Sequence, residues 1–418
     1  MFDLLRGTRI LEFGLMTSSL VSSFLADAGA DVIKIESPPL GDYTRDILGG
    51  LAPRHSPMHL QLNKNKRSLM VDLKTTEGQE ILWRLQATAD VFVDGFSVGA
   101  AEALGIGYEE QRRRKADIVY VQCSGFGATG PYASIPAHGR MMAAAAGKYR
   151  MEVCPDGFVR PTDDVEQVDG PMGGVSEGAE PVWAGAIAAA FYAAAALVRR
   201  RTTGQGARID VGASEATVTS AWTGAIYALN NARLAHRDSM PSAAPGGPRL
   251  VDSTPGAGFD GARYFFYETK DGRIVLFAAV EYKFWEAFCR LVDRQDLIGT
   301  YDRSSPGGDF GLGDVSLHRS LRDIMLTRTR DEWLELAKAH RLPIGPVNVN
   351  VSDLVADPQL QERGVFVEGH HPHAGDFTYL RPPALVDAQE FEVARPAPLA
   401  GEHSTEILGE LGYDGRRI

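Results

Sequence analysis

Gly7-Thr8-Arg9-Ile10-Leu11-Glu12-Phe13, followed after a helix-length interval by Leu25-Ala26-Asp27-Ala28-Gly29-Ala30-Asp31-Val32-Ile33-Lys34-Ile35-Glu36, decides the fold. Two short apolar runs flank an interval of helical length, the pattern of a strand–helix–strand unit. The alternation continues downstream. It predicts strands over 9–13, 31–35, 68–72, 90–93 and 117–122, with helices near 18–28, 75–87, 99–104 and 108–114. Strands and helices in alternation pack as a mostly parallel sheet covered on both faces, so the chain reads as α/β. Gly14-Leu15-Met16-Thr17-Ser18-Ser19 stands where a G-x-G-x-x-G turn would be. This argues against a dinucleotide site while leaving the layered fold in place.

The 418 residues can bury a large core and are enough for two domains. A net charge of −11 argues against nonspecific nucleic-acid binding, which needs phosphate-neutralising Lys and Arg. A local basic cluster can still hold an anionic ligand. Cys123, Cys154 and Cys289 form no framework and no C-x-x-C pair, which fits a reducing compartment. Met1 to Arg6 lacks a signal-peptide core. The run Ala184 to Val198, stopped by Arg199-Arg200-Arg201, reads as a buried alanine-rich helix too short to span a bilayer. A cytoplasmic protein without membrane or nucleic-acid partners is expected.

Residues 151–181 are rich in Pro, Gly, Asp and Glu and read as an irregular segment, as does 234–262. Phe265-Phe266-Tyr267 and Ile274-Val275-Leu276-Phe277 read as a hairpin turning at Lys270-Asp271-Gly272, with a helix at 282–293 behind it.

The wording of several segments resembles the family III CoA-transferases, the group that includes carnitine CoA-transferase, formyl-CoA transferase and α-methylacyl-CoA racemase. These segments are LADAGADVIKIE (25–36), LNKNKRSLMVDLK (62–74), GFGATGPY (125–132), RLPIGPVNVNVSDLVADPQLQERGVFVE (341–368) and GEHSTEILGELGYD (401–414). The resemblance implies a Rossmann-like large domain built from both chain ends (1–224 and 331–418) and a smaller α+β domain (225–330). It also implies an interlocked dimer, either a homodimer or a heteromer with a homologous subunit. Coenzyme A or acyl-CoA would be substrate rather than resident cofactor, a carboxylic acid the second substrate, and no metal is expected.

Coenzyme A needs cationic donors for its phosphates and a groove for its arm. By the resemblance, the Asn63-Lys64-Asn65-Lys66-Arg67-Ser68 run supplies Asn65, Lys66 and Arg67 as cofactor contacts, the two cations on phosphate or adenine, with Lys64 in solvent. The plain alternative is a solvated charged turn. Lys34 is read equally as an ion-pair partner or a rim contact. Phe96 and Gly99 match an Asn-Phe-Arg-Pro-Gly-like turn, but Gly95, Ser97 and Val98 replace its Asn, Arg and Pro. Phe96 is therefore either a cofactor contact or a core aromatic. Ser124 and Gly125 follow a strand, where open α/β sheets place ligands; Ala137 is added on the same pattern.

The family's acyl exchange uses a nucleophilic carboxylate just before an alanine-rich helix ending in Arg/Lys-Thr-Gly-x-Gly. Here the helix and its ending, Arg201-Thr202-Thr203-Gly204-Gln205-Gly206, are present, but the Asp is not at its usual distance. Glu180 is placed first as nucleophile, Asp169 second and Glu177 third; the alternative is three solvated acids. His138 falls where the racemase branch carries His-Asp, although Gly139 follows it. It serves as acid–base group, pocket liner or structural histidine. His370, His371 and His373 lack strict metal-ligand spacing and read as a surface loop. Trp183, Phe191, Tyr192, Trp222 and Tyr227 read as acyl-pocket or core aromatics. The leading function is CoA transfer between an acyl-CoA and a free acid; the alternatives are a 2-methylacyl-CoA racemase and a catalytically silent subunit.

Overall fold

The opening unit forms β1 (Arg9–Gly14), α1 (Thr17–Asp27) and β2 (Asp31–Glu36). The computed structural model describes residues 1–149, 151–161, 180–230, 261–305, 307–387 and 389–413. After β2 come α2 (Pro57–Asn63), β3 (Lys66–Met70), α3 (Thr76–Thr88) and β4 (Val91–Gly95). Next are α4 (Ala100–Ala103), α5 (Tyr108–Arg114), β5 (Val119–Ser124) and α6 (Gly139–Ala145). A short hairpin, β6 (Met151–Val153) with β7 (Val159–Pro161), comes before α7 (Pro181–Thr203). The segment closes with β8 (Ala207–Gly212), α8 (Ala213–Ser220) and α9 (Trp222–Asn230).

Six strands pair in the order β3-β2-β1-β4-β5-β8, all parallel. Sheets covered on both faces are built from near-continuous apolar runs, which is why β1, β2, β4 and β5 were legible. One face packs Ile10, Val93 and Val121 against Val21 of α1 and Ala186, Ala189 and Ala193 of α7. The other packs Leu11, Phe92 and Tyr120 against Leu82 of α3 and Ile407 near the chain's end. Strand order reverses between β1 and β4, the switch point where such sheets bind ligands. There Gly14 lies opposite Gly95, and a β-carbon on Gly14 would stand 2.6 Å from the Gly95 carbonyl.

Helix α7 starts with Pro181, whose missing N–H costs nothing in the first turn, and continues through alanines of high helix propensity. Gly204 ends it with a left-handed φ of 68°. At 23 residues it is long and apolar enough to cross a membrane by length and composition, longer than the sequence suggested. Its alanine face is buried against the sheet, but Ile187, Phe191, Tyr192 and Val198 are exposed, so it is not the wholly buried helix expected.

The chain forms two compact units. One holds the described residues from Met1 to Leu229 and from Leu360 onward; the other holds those from Asn230 to Gln359. The second unit contains the hairpin β9 (Phe265–Glu268) and β10 (Ile274–Phe277), with Gly272 at φ 73° in its turn. Helices α10 (Tyr282–Leu291), α11 (Val315–Met325) and α12 (Arg330–His340) follow, then β11 (Ile344–Pro346). The expected return at 331 is displaced because Trp333, Leu342 and Ile344 fill this unit's own core. Beyond α13 (Val351–Ala356) and α14 (Pro358–Glu362), the hairpin β12 (Phe366–His371) with β13 (Gly375–Leu380) and α15 (Ser404–Glu410) complete the chain's regular elements.

Charges beneath α1 are paired inside the fold. Glu12 accepts from Lys34 Nζ at 2.6 Å, Lys66 Nζ at 2.8 Å, Ser19 Oγ at 2.7 Å and Ser22 Oγ at 2.5 Å. Lys34 also meets Asp42 at 2.7 Å. Nearby, Glu36 accepts from Arg45 Nη2 at 2.5 Å and Ser68 Oγ at 2.7 Å. Burial alone would raise the Glu36 pKa, but the Arg45 bond, the Lys34 charge and the Ser68 bond outweigh it and lower it to about 2. Stability from this carboxylate is therefore complete above the ordinary Glu pKa and lost as pH falls toward about 2. Urea unfolding of the protein and of Glu36→Gln should show a gap at pH 6 that narrows by pH 3. An equal gap at both values refutes this.

Candidate active site

Strand β5 delivers Ser124 and Gly125 to the carboxyl edge of the sheet. Ser124 Oγ is buried and has no hydrogen-bond partner among the described residues. Gly125 is a glycine of necessity, since a β-carbon there would lie 2.2 Å from the Ala137 β-carbon. This close approach holds the 137–139 segment against the strand end, where His138 stands extended just ahead of α6. Val182 of α7, Met142 of α6 and Ala213 of α8 form one buried apolar cluster, with Met16, Leu20 and Ala137 packed on it. That cluster brings the starts of α6 and α7 together.

Glu180 precedes α7 in an extended conformation, and its side chain makes no capping hydrogen bond. Its Oε1 lies 3.3 Å from where a β-carbon on Gly139 would be, beside His138. Although the residue has an exposed flank, burial of its carboxyl raises the pKa above the usual carboxylate range. The Trp183 and Val182 amides and the Lys148 charge pull the other way without prevailing. Partial burial leaves this carboxylate more basic than usual, an asset for a nucleophile. Lys148 was missed in the sequence, where a single lysine outside any motif carries no signal. Met16, at the start of α1, has a φ of 49°. A bulky residue in that region stores strain of about 1–3 kcal/mol, and such strain gathers at functional sites.

The structure thus unites Glu180, His138, Ala137, Gly125 and Ser124, whereas the cationic run lies elsewhere. Lys66 and Arg67 belong to β3 rather than to a turn before it, so they alternate across the sheet. Lys66 is fully buried and spends its ammonium on Glu12, the Ser19 carbonyl and Asn63. Arg67, on the opposite face, binds Asp31, Glu406 and Glu410, clasping α15. Neither cation is free to hold a phosphate. Lys64 is buried on Asp27 at 2.9 Å, not solvated. Asn65, at φ 63°, donates to Asp27 Oδ1 and pairs with the Arg395 backbone. Lys34 is an ion-pair partner, as the Glu12 cluster shows.

Phe96 packs on Phe13 at 6.1 Å, half-buried at the core's edge. Trp183 meets Phe24 edge-on at 5.9 Å. Phe191, Tyr192 and Trp222 are 66%, 56% and 61% exposed, so they are not core aromatics of this chain. His370 and His371 end strand β12 rather than lying on a loop. His370 pairs with Asp376, and His371 Nε2 donates to the Ala397 carbonyl. Among the described residues no group of three or more His, Cys, Asp or Glu could hold a metal. Asp169, Glu177 and the Tyr227 side chain lie outside the described residues.

A six-stranded parallel sheet, with a partly buried carboxylate at the start of an alanine-rich helix, makes this an α/β protein. The pattern of CoA-transferase family III matches residues 5–404, and the chain belongs to that family. It is a transferase. The chain is 29% identical to the human succinyl-CoA:glutarate CoA-transferase, covering 99% of this chain and 87% of that protein. It is 27% identical to a formyl-CoA:oxalate CoA-transferase of Rhodopseudomonas palustris (strain BisA53), covering 99% and 95%. Among solved structures, a mutant of Rv3272 from Mycobacterium tuberculosis superposes with a TM-score of 0.73 at 25% identity, covering 97% and 98%. A CAIB/BAIF family protein from Brucella suis gives 0.69 at 25% identity, covering 97% and 99%.

Proposed function

We propose that this protein moves coenzyme A from an acyl-CoA to a free carboxylic acid through Glu180. The observation that carries this reading is the Glu180 carboxyl, raised in pKa by burial and reaching Gly139 at the start of α6. Glu180 attacks the thioester carbonyl, giving a mixed anhydride and the CoA thiolate. The thiolate then attacks the Glu180 carbonyl, releasing the donor acid and leaving an enzyme thioester. The acceptor carboxylate reverses the sequence: it forms a second anhydride, and the returning thiolate takes the acceptor acyl group and frees Glu180. No atoms are gained or lost, and no redox group is required.

The arrangement is read as one half of an interlocked dimer in the cytoplasm. The apolar side chains on the outward face of α7 support this, since a partner would cover them. Two succinyl-CoA:glutarate and formyl-CoA:oxalate relatives point to short acids as the first substrates to try.

The test is chemical trapping. Incubation with succinyl-CoA or formyl-CoA, then borohydride, should reduce the enzyme thioester and convert Glu180 to an alcohol readable by peptide mass spectrometry. Conversion at Asp169 or Glu177 instead would reassign the nucleophile, and no adduct would end the reading. The approach of Glu180 to Gly139, next to His138 in the chain, favours a second reading, proton exchange at the α-carbon of a 2-methylacyl-CoA. Deuterium incorporation from D₂O without any trapped adduct would select it.

A further inference from the structure

We infer that Gly139 is a positioning residue whose missing side chain seats the Glu180 carboxyl. The inference rests on Glu180 being the nucleophile.

Backbone geometry does not explain this glycine. Gly139 opens α6, and its φ is not in the left-handed region, so any residue could take its conformation. Glycine is even a poor choice there, because within a helix it is less favourable than alanine. Its neighbours differ. Gly125 is required by the approach of Ala137, and Gly127 by a φ of 81°. What remains at 139 is space, and Glu180 Oε1 occupies its edge, 3.3 Å from where a β-carbon would sit. That contact is tighter than an ordinary carbon–oxygen approach, so an added methyl would shift the carboxyl by a few tenths of an ångström.

Glutamate at 180 is one methylene longer than aspartate, so its carboxyl travels farther from the helix start. A long acid at 180 and an empty place at 139 therefore complement each other. Catalysis is steeply sensitive to such offsets, with a misplacement near 1 Å costing about a hundredfold. Gly139→Ala is expected to lower kcat about tenfold and leave KM for acyl-CoA near its original value, because the methyl displaces the nucleophile rather than the carrier. Glu180→Asp alone should also lose activity by falling short. In the double variant the shorter acid no longer meets the methyl, so the two losses should not multiply.

The experiment is a double-mutant cycle on kcat in the full-length protein, with the rate of borohydride-trapped adduct as a second readout. Gly139→Ser serves as a second substitution if the alanine variant melts early. A double variant more active than the product of the single losses supports the inference. Losses that multiply, or full kcat in both Gly139→Ala and Gly139→Ser, overturn it. Its failure is separable from that of the Glu180 assignment. An active Glu180→Gln overturns the assignment, whereas an inactive Glu180→Gln beside fully active Gly139 variants overturns only the role of Gly139.

Discussion

Glu180→Gln should lower kcat by at least about a thousandfold, equivalent to about 4 kcal/mol of barrier, while acyl-CoA still binds. The substitution keeps shape and volume but replaces an oxygen nucleophile with an amide that cannot carry the acyl group. Gln keeps an oxygen that can accept from the Val182 and Trp183 amides, so the fold loses little and the melting temperature should stay close to the parent's. Initial rates and isothermal titration with acyl-CoA separate the two effects. The pH profile adds an independent mark. Glu180 must be ionised to attack, and burial raises its pKa. The acid limb of kcat/KM should therefore lie above the ordinary Glu value of about 4.3. A variant with parental kcat would pass the role to Asp169 or Glu177.

The second large effect lies in the core. Replacing Glu12 by Gln removes the carboxylate that takes both the Lys34 and the Lys66 ammonium. Two buried cations would then depend on Asp42 and Glu36, and breaking such a network costs about 3–5 kcal/mol. In a domain of this size that corresponds to a fall in melting temperature of roughly 10 °C. Burial and the Lys34 charge already push the Lys66 pKa down to about 8, against the pull of Glu12. Without that pull Lys66 sheds its proton more readily. The unfolded chain then binds more protons than the folded one, so the variant's deficit should be larger at pH 6 than at pH 9. Adding Lys66→Met, which removes one stranded charge, should restore part of the loss. A loss under 1 kcal/mol would show that the cluster contributes little to holding the sheet.

Much of the sheet was legible because its strands are buried on both faces, so their apolar runs need no partner to be recognised. The end of α7 was legible for a different reason: Gly204 marks it after the alanines, whereas its start at Pro181 lies ahead of the run read from Ala184. The charged run at 64–67 was misread because its partners Asp27, Glu12, Asp31 and Glu410 are distant in sequence. A run of cations is ordinarily solvated, and only long-range pairing turns it inward. For the site, Glu180 stood out by its place before α7. Its closeness to Gly139 depends on how α6 and α7 converge on Met142 and Val182, which no local pattern encodes. The aromatic residues of α7 were misjudged because helical periodicity alone does not say which face the sheet takes.

The glycines that meet at the ends of β1 and β4 carry one more consequence. A methyl on Gly14 would run into the Gly95 backbone, and one on Gly95 would strike Ser18 at 2.5 Å. Side chains at 14 and 95 would therefore drive β1, β4 and α1 apart at the switch point. The bare pair lets the two central strands and the first helix close on one another, and alanine at either place is expected to loosen the middle of the sheet.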